Sequence, residues 1–359
     1  MSQGRASDPR NPSRPFVLTL PHPQEDSDAD PRMYPGAFAL SGFEQLKWTL
    51  GGKSGRAPVE RLVGVRFEEL APGKVGYRND ITDWLQWEEG RVPAGALAIL
   101  ADAAHSGAGY TKVGPITGFV TVDASLSFTR PVTLDDRRLR AVGEVRHMGQ
   151  ETMLSQVVVE DDAGELICQG SSRSSLFRFM EEMPTPPPDM TLMRDATIGM
   201  EPFTLETRGE GFPLDLTCQI DGLELLHKLI AREIPEPPLC HLTGVRPVRA
   251  GKGTCAFVLP ASPWFGSPLG TVQGGALAML AERSMWGAAM TCLPVRSTCR
   301  TLDLTISYAR PVPCDGAELS SVGETVRLGR KFGNLAAQVT DANGRSVAYA
   351  TATVAITKM

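Results

Sequence analysis

The sequence contains no Cys-x-x-Cys pair, no surplus of positive charge and no apolar run long enough to span a bilayer. Each absence removes a class of protein. Seven cysteines, scattered and odd in number, argue against a disulfide framework or a structural zinc site and fit a reducing cytoplasm. A formal charge of −5 offers no dedicated nucleic-acid surface, and the local cluster Arg327, Arg330 and Lys331 reads as a solvated loop. Met1 to Pro15 is polar and lacks the apolar core of a signal peptide. What is present is the composition of a soluble globular protein, 42% apolar and 21% charged. Its 359 residues exceed what one hydrophobic core usually serves. The expectation is a soluble, cytoplasmic chain of two domains, with neither nucleic acid nor membrane as partner.

The chain repeats itself at a constant offset of 180 residues. Ser41-Gly42-Phe43-Glu44 recurs as Asp221-Gly222-Leu223-Glu224, and Gly64-Val65-Arg66 as Gly244-Val245-Arg246. Trp84 recurs as Trp264, and Gly95-Ala96-Leu97-Ala98 as Gly275-Ala276-Leu277-Ala278. Arg130-Pro131-Val132 recurs as Arg310-Pro311-Val312, and Gly143-Glu144 as Gly323-Glu324. Chance similarity of Gly/Ala-rich helices does not explain matches in the flanking strands and turns. The reading is an arm over residues 1–39, one domain over 40–177, a linker over 178–219 containing the run Met183-Pro-Thr-Pro-Pro-Pro188, and a second domain over 220–359.

Each copy predicts an α+β unit. In copy two a short amphipathic helix over Gly222 to Ala231 precedes a strand pair within Gly244 to Leu259 and an apolar helix over Gly274 to Ala289. Strands follow at Thr301–Ala309, Ala317–Leu328, Leu335–Thr340 and Ser346–Ile356, with Asp341-Ala-Asn-Gly344 as a hairpin turn. A helix apolar nearly all round must be buried on most sides. An antiparallel sheet wrapped around it meets that demand.

The segment Gly270-Thr-Val-Gln-Gly-Gly-Ala-Leu-Ala-Met-Leu-Ala-Glu282 resembles the signature of the phenylacetic-acid-type hotdog thioesterases. That signature reads Asn-x-x-Gly-x-x-His-Gly-Gly, with an Asp or Glu two turns along the helix. Arg300-Thr-Leu-Asp-Leu-Thr-Ile-Ser-Tyr-Ala-Arg-Pro311 resembles the strand that follows. The resemblance implies two hotdogs paired within one chain, acting on an acyl-CoA thioester without metal or organic cofactor. Each interface site would take an oxyanion-binding amide from one copy and a carboxylate from the other. The chemistry is consistent with that: thioester hydrolysis builds negative charge that a helix N-terminal N–H can meet, and a carboxylate activates water or attacks directly.

Carried over residue by residue, the resemblance implies two unequal sites. The first pairs the Gly274 amide, with Gln273 at the family's His position and Ser267 at its Asn position, with Asp102 and the hydroxyl of Thr121. His105, Ser106 and Gly275 are candidate substrate contacts. The second pairs the Ala94 amide with Glu282 and Thr301, but Pro93 and Trp87 replace the family's polar residues and Trp286 crowds the space. The first is expected to be live and the second weak or dead.

Plainer readings stand beside these. Gly274 and Gly275 could simply let helices approach, Ser267 could be a cap, and Thr121 and Thr301 suit any strand. An acidic residue on an Ala-rich helix is usually solvent-facing, but both copies keep one amid apolar neighbours, where it is costly without a task. Arg130 and Arg310 read as structural or rim residues. A hotdog hydratase/dehydratase and a non-catalytic acyl-CoA binder are the competing functions, and a homodimer of tandem chains is the expected assembly.

Overall fold

A computed structural model describes residues 35–51, 56–185, 201–267 and 269–359. Most of the expected arm, residues 1–34, and residues 186–200 of the expected linker lie outside these.

In the first copy α1 (Gly42–Leu50) and α2 (Pro58–Val63) lead into β1 (Val65–Ala71), β2 (Lys74–Asp80), the short β3 (Arg91–Val92) and the central helix α3 (Ala94–Tyr110). Then follow β4 (Thr117–Phe128), the short β5 (Val132–Thr133), β6 (Arg138–Met148), β7 (Thr152–Asp161) and β8 (Leu166–Arg178). The second copy runs α4 (Gly222–Ala231), α5 (Pro238–Thr243), β9 (Arg246–Gly251), β10 (Thr254–Pro260), α6 (Gly274–Met290), β11 (Ser297–Tyr308), β12 (Glu318–Leu328), β13 (Phe332–Thr340) and β14 (Ser346–Lys358). The repeated tetrapeptides are helix starts: Ser41 and Asp221 each accept the amide of the Glu three residues on. Their glycines have a further reason. A Cβ at Gly42 or Gly222 would fall 2.0 Å from the carbonyl of Tyr110 or Met290, so only glycine lets the entry helix cross the end of the central one.

Among the described residues, twelve strands form one antiparallel sheet in the order β1-β2-β6-β7-β8-β4-β11-β14-β13-β12-β10-β9. The two copies meet through β4 and β11, whose register centres on Ser125 opposite Thr305, its own counterpart in the repeat. The two hydroxyls are 3.0 Å apart. A pseudo-twofold axis therefore passes through this pair. On the concave side α3 and α6 pack antiparallel: a Cβ on Gly275 would lie 2.6 Å from Ile99 Cα, and one on Gly95 would lie 3.0 Å from Met279 Cα. Sheet on one side and partner helix on the other explain why both helices are apolar all round. The molecule is thus two tandem hotdogs forming an intrachain pair.

Three features differ from the sequence expectation. Helix α5 begins at a proline in a stretch too short to show a helical period. Strand β11 begins four residues early, at Ser297. The stretches on either side of the expected domains also pack rather than trail. Pro35–Ala39 is a 3-10 helix whose Phe38 meets Phe179 edge-on at 4.7 Å. In residues 201–219 Phe203 and Phe212 are buried, and the Trp84 indole N–H donates to the Leu205 carbonyl at 3.0 Å. Apolar side chains in those stretches explain the packing.

Candidate functional site

Helix α6 starts at Gly274, with Gln273 at the cap position, so its first-turn amides point out of the helix without intrahelical acceptors. Asp102, in the third turn of α3, lies against that end. Its Oδ2 accepts the Gly275 N–H at 3.0 Å. A Cβ on Gly274 would come 3.4 Å from Asp102 Oδ1 and 2.9 Å from the Tyr308 hydroxyl. The Gly274 N–H has no acceptor among the described residues. The carboxylate of one copy is therefore held at the positive end of the other copy's helix.

Asp102, Gly274 and Tyr308 line a cavity of about 410 Å³, together with Thr121, Ser106, Gln273 and Ser267. Gly275, expected as a substrate contact, is not in the lining and packs against Ile99 while its N–H serves Asp102. Burial pushes the Asp102 carboxyl up to about 6, against the pull of the Gly275 N–H. Its surface is half-buried rather than sealed, because the cavity admits water to one side. Burial, and then the charges of Asp102 and Asp123, push the Tyr308 phenol well above its usual range. It stays protonated and donates to the Gly274 carbonyl at 2.9 Å.

Gln273 brings a buried side-chain oxygen with no partner among the described residues. Ser267 is occupied locally: its hydroxyl accepts the amides of Leu269 and Thr271 and sits 3.0 Å from the Thr271 hydroxyl. It holds the loop before α6. Thr121 faces the cavity just before a bulge in β4, without a hydrogen bond to Asp102.

The placement of His105 corrects the sequence reading. Three residues after Asp102 on a helix is a rotation of about 300°, four is about 400°. The two thus flank Asp102 by about 60° and 40° on opposite sides. Ser106 reaches the cavity, whereas His105 falls on the side of β7 and lies 3.2 Å from the Ser155 hydroxyl. Burial pushes its pKa down to about 3. No histidine lines the cavity among the described residues.

The pseudo-symmetric position is filled. Glu282 is fully buried, and the adjacent Arg283 grips both its oxygens at 2.7 Å. The Thr301 hydroxyl donates to the same carboxylate at 2.5 Å. The Arg283 guanidinium lies 5.2 Å from the Trp87 ring and 4.9 Å from the Trp286 ring. Only about 70 Å³ remains beside Ala94.

Four contributors escaped the sequence reading. Arg283, an Arg beside a Glu on an apolar helix, signalled a need for a partner, although neighbours on a helix do not normally face each other. Tyr308, Glu60 and Tyr77 also line the open cavity; Tyr308 lies in the strand segment that resembles the family but has no role assigned to it there, and Glu60 and Tyr77 lie in no motif. Arg130 is tied to Asp136 and Asp161 at 2.6 and 2.5 Å. Its counterpart Arg310 stands exposed at the cavity mouth, where Gly316 replaces the first of those acids.

Residues 90–168 and 269–348 each match the family model of the thioesterase superfamily. A solved candidate thioesterase from Novosphingobium aromaticivorans is similar over 80% of this chain and 97% of its own, with 14% identity and a TM-score of 0.51, a likeness of fold. An acyl-CoA thioesterase II from Mycobacterium marinum aligns with 84% of this chain and 97% of its own, at 14% identity and a TM-score of 0.49. A thioesterase from Haemophilus influenzae aligns with 32% of this chain and 80% of its own, at 20% identity and a TM-score of 0.31. No curated protein sequence matches the chain.

Proposed function

We propose that this chain, whose two hotdog copies each carry a segment matching the thioesterase superfamily model, hydrolyses an acyl-CoA thioester to the free acid and CoA at one live site on the seam. The observation that carries this is the Asp102 carboxylate held beside the Gly274 amide on the wall of the open cavity. The thioester oxygen would lie on the Gly274 N–H, where the helix end favours the negative charge that develops. Asp102 either takes a proton from water as the water oxygen bonds to the carbonyl carbon, or bonds to that carbon itself. In the first case the C–S bond breaks and the proton passes to the CoA sulfur. In the second, the C–S bond breaks to release CoA thiolate, and water then cleaves the resulting anhydride to give the free acid and the Asp102 carboxylate, with a proton from that water passing to the thiolate. Tyr308 fixes the helix end through the Gly274 carbonyl, and Gln273 faces the same space.

The proposal assigns the Glu282 site no turnover, because the Arg283 guanidinium occupies the carboxylate that would act. A hydratase reading loses its histidine, since His105 is turned to β7. The test is release of CoA thiol from a panel of acyl-CoAs by wild type, Asp102→Asn and Glu282→Gln. Turnover lost only in Asp102→Asn is the expected result. Turnover that survives Asp102→Asn but not Glu282→Gln would reverse the assignment, and intact binding without turnover would favour a binder.

A further inference from the structure

The open cavity continues past Asp102 to the region beneath α1 and α2, and its lining there is unusual. Gln45, Glu60, Tyr77, Ser106 and Tyr110 all face it. The repeat supplies an internal control. At the same five positions the second copy carries Leu225, Cys240, Phe257, Trp286 and Met290, every one less polar. At these five positions the first copy alone is polar, whereas the lining residues Arg56 and Arg61 have the polar counterparts Glu236 and His241. A polar group in an enclosed space is costly unless something pairs with it.

Part of the set pairs internally, since the Tyr110 hydroxyl donates to the Gln45 side-chain oxygen at 2.8 Å. Tyr77 does not, and the Glu60 carboxylate has the Ala57 backbone N–H of its own helix start as its one hydrogen-bond donor among the described residues. Glu60 is 8% exposed, and no side chain among the described residues donates to its carboxylate. Arg56, the cation nearest to it in effect, is ion-paired with Glu201 and donates to the Val65 carbonyl at 3.1 Å. Tyr77 is 4% exposed and lies over Gly107, where a Cβ would fall 2.7 Å from its hydroxyl. That hydroxyl donates to no described residue.

We infer that the acyl group taken by this site carries a hydroxyl, held between Glu60 and Tyr77 at the far end of the cavity. This rests on the thioesterase reading above. Gly107 lies five residues beyond Asp102 on α3, an axial separation of about 7.5 Å at 1.5 Å per residue, which sets the length of the acyl groups tested. A hydroxyl both donates and accepts, and the two side chains offer the complement. Burial pushes the Glu60 carboxyl up to about 7, so near neutrality it presents an acceptor and a donor form. Burial also pushes the Tyr77 phenol well up, so it remains a donor.

The test compares matched substrates: hexanoyl-CoA with 6-hydroxyhexanoyl-CoA, and 3-phenylpropanoyl-CoA with its 4-hydroxyphenyl analogue. The readout is the ratio of kcat/KM within each pair, for wild type, for Tyr77→Phe, and for Glu60→Cys with Tyr77→Phe. The last variant carries the residues the second copy already tolerates. Wild type should prefer the hydroxylated member of at least one pair by about tenfold to a hundredfold, the range of one hydrogen bond to a charged group. The ratio should fall to unity or below in the double variant and part of the way in Tyr77→Phe. A ratio near one in wild type for both pairs, or one unchanged in the double variant, overturns the inference. Calorimetric binding of the same pairs to Asp102→Asn separates the two proposals. Preferential binding of the hydroxylated thioester without hydrolysis by wild type would sink the hydrolase reading and leave this one standing, whereas equal binding would sink this one alone.

Discussion

Replacing Asp102 by Asn should make the protein more stable at alkaline pH while removing its activity. The amide matches the carboxylate in shape and keeps an oxygen to accept the Gly275 N–H, but it cannot ionise. In the folded protein the carboxyl titrates at about 6 rather than the ordinary 3.8, so above pH 6 the fold holds a charge it disfavours. A shift of about two units corresponds to about 3 kcal/mol for a wholly dry group. Water in the cavity reaches Asp102, and screening reduces the expected gain to about 1–2 kcal/mol.

The sign follows from linkage. Between about pH 4 and 6 the folded state holds a proton that the unfolded state has lost, so the penalty is absent below pH 4 and complete above 6. Urea denaturation of wild type and Asp102→Asn at pH 4.5, 6 and 8 reads the difference directly, because every other carboxylate titrates alike in both. The gap should be small at pH 4.5 and largest at pH 8, in favour of the variant. Turnover should fall about a hundredfold or more in the same variant. A variant less stable at pH 8, or a gap that does not widen with pH, would show that Asp102 is not a strained carboxylate and would refute the reasoning.

Wild-type kcat/KM should decline as pH falls through about 6, as Asp102 takes up its proton, and the profile of a substrate without ionisable groups checks this. Glu282→Gln should retain turnover within about threefold but lose about 3–5 kcal/mol in urea denaturation, because it leaves Arg283 buried against a neutral partner. Arg310 is exposed at the mouth with no ion pair among the described residues. Arg310→Ala should raise KM severalfold for CoA thioesters with little change in kcat, and the effect should shrink in high salt. An unchanged KM at low salt would remove Arg310 from the binding of CoA.

Much of the architecture was legible because it was written twice. A constant offset located the central helices, and the boundaries of α4 fell where its cap and its period placed them. The relation of Asp102 to the opposite helix end followed from a family signature, not from spacing, since no pattern along one chain encodes which helix crosses which. The errors have the same origin. His105 stands one turn beyond Asp102, a spacing that suggests a shared face, but an offset of about 60° is enough to give it to Ser155 on β7. Arg283 gives no signal of its role along the chain, because adjacent helical residues rarely pair, yet its long side chain folds back to Glu282 between two tryptophans. Tyr308, Glu60 and Tyr77 belong to strands and a short helix that meet only in the folded molecule.

The seam at Ser125 and Thr305 shows that each copy occupies the place an identical subunit would take in a symmetric pair. Among identical subunits every substitution is inherited by both, so an arginine that closed one site would close the other as well. Joining the copies in one polypeptide lifts that constraint. Position 283 can hold Arg while its mate, Ala103, leaves the opposite helix clear. The chain can then vary one pocket to suit a substrate while the other settles into pure scaffold. On the proposed assignment of one live site per chain, occupancy should follow a simple hyperbola, and any sigmoidal response would have to arise between chains.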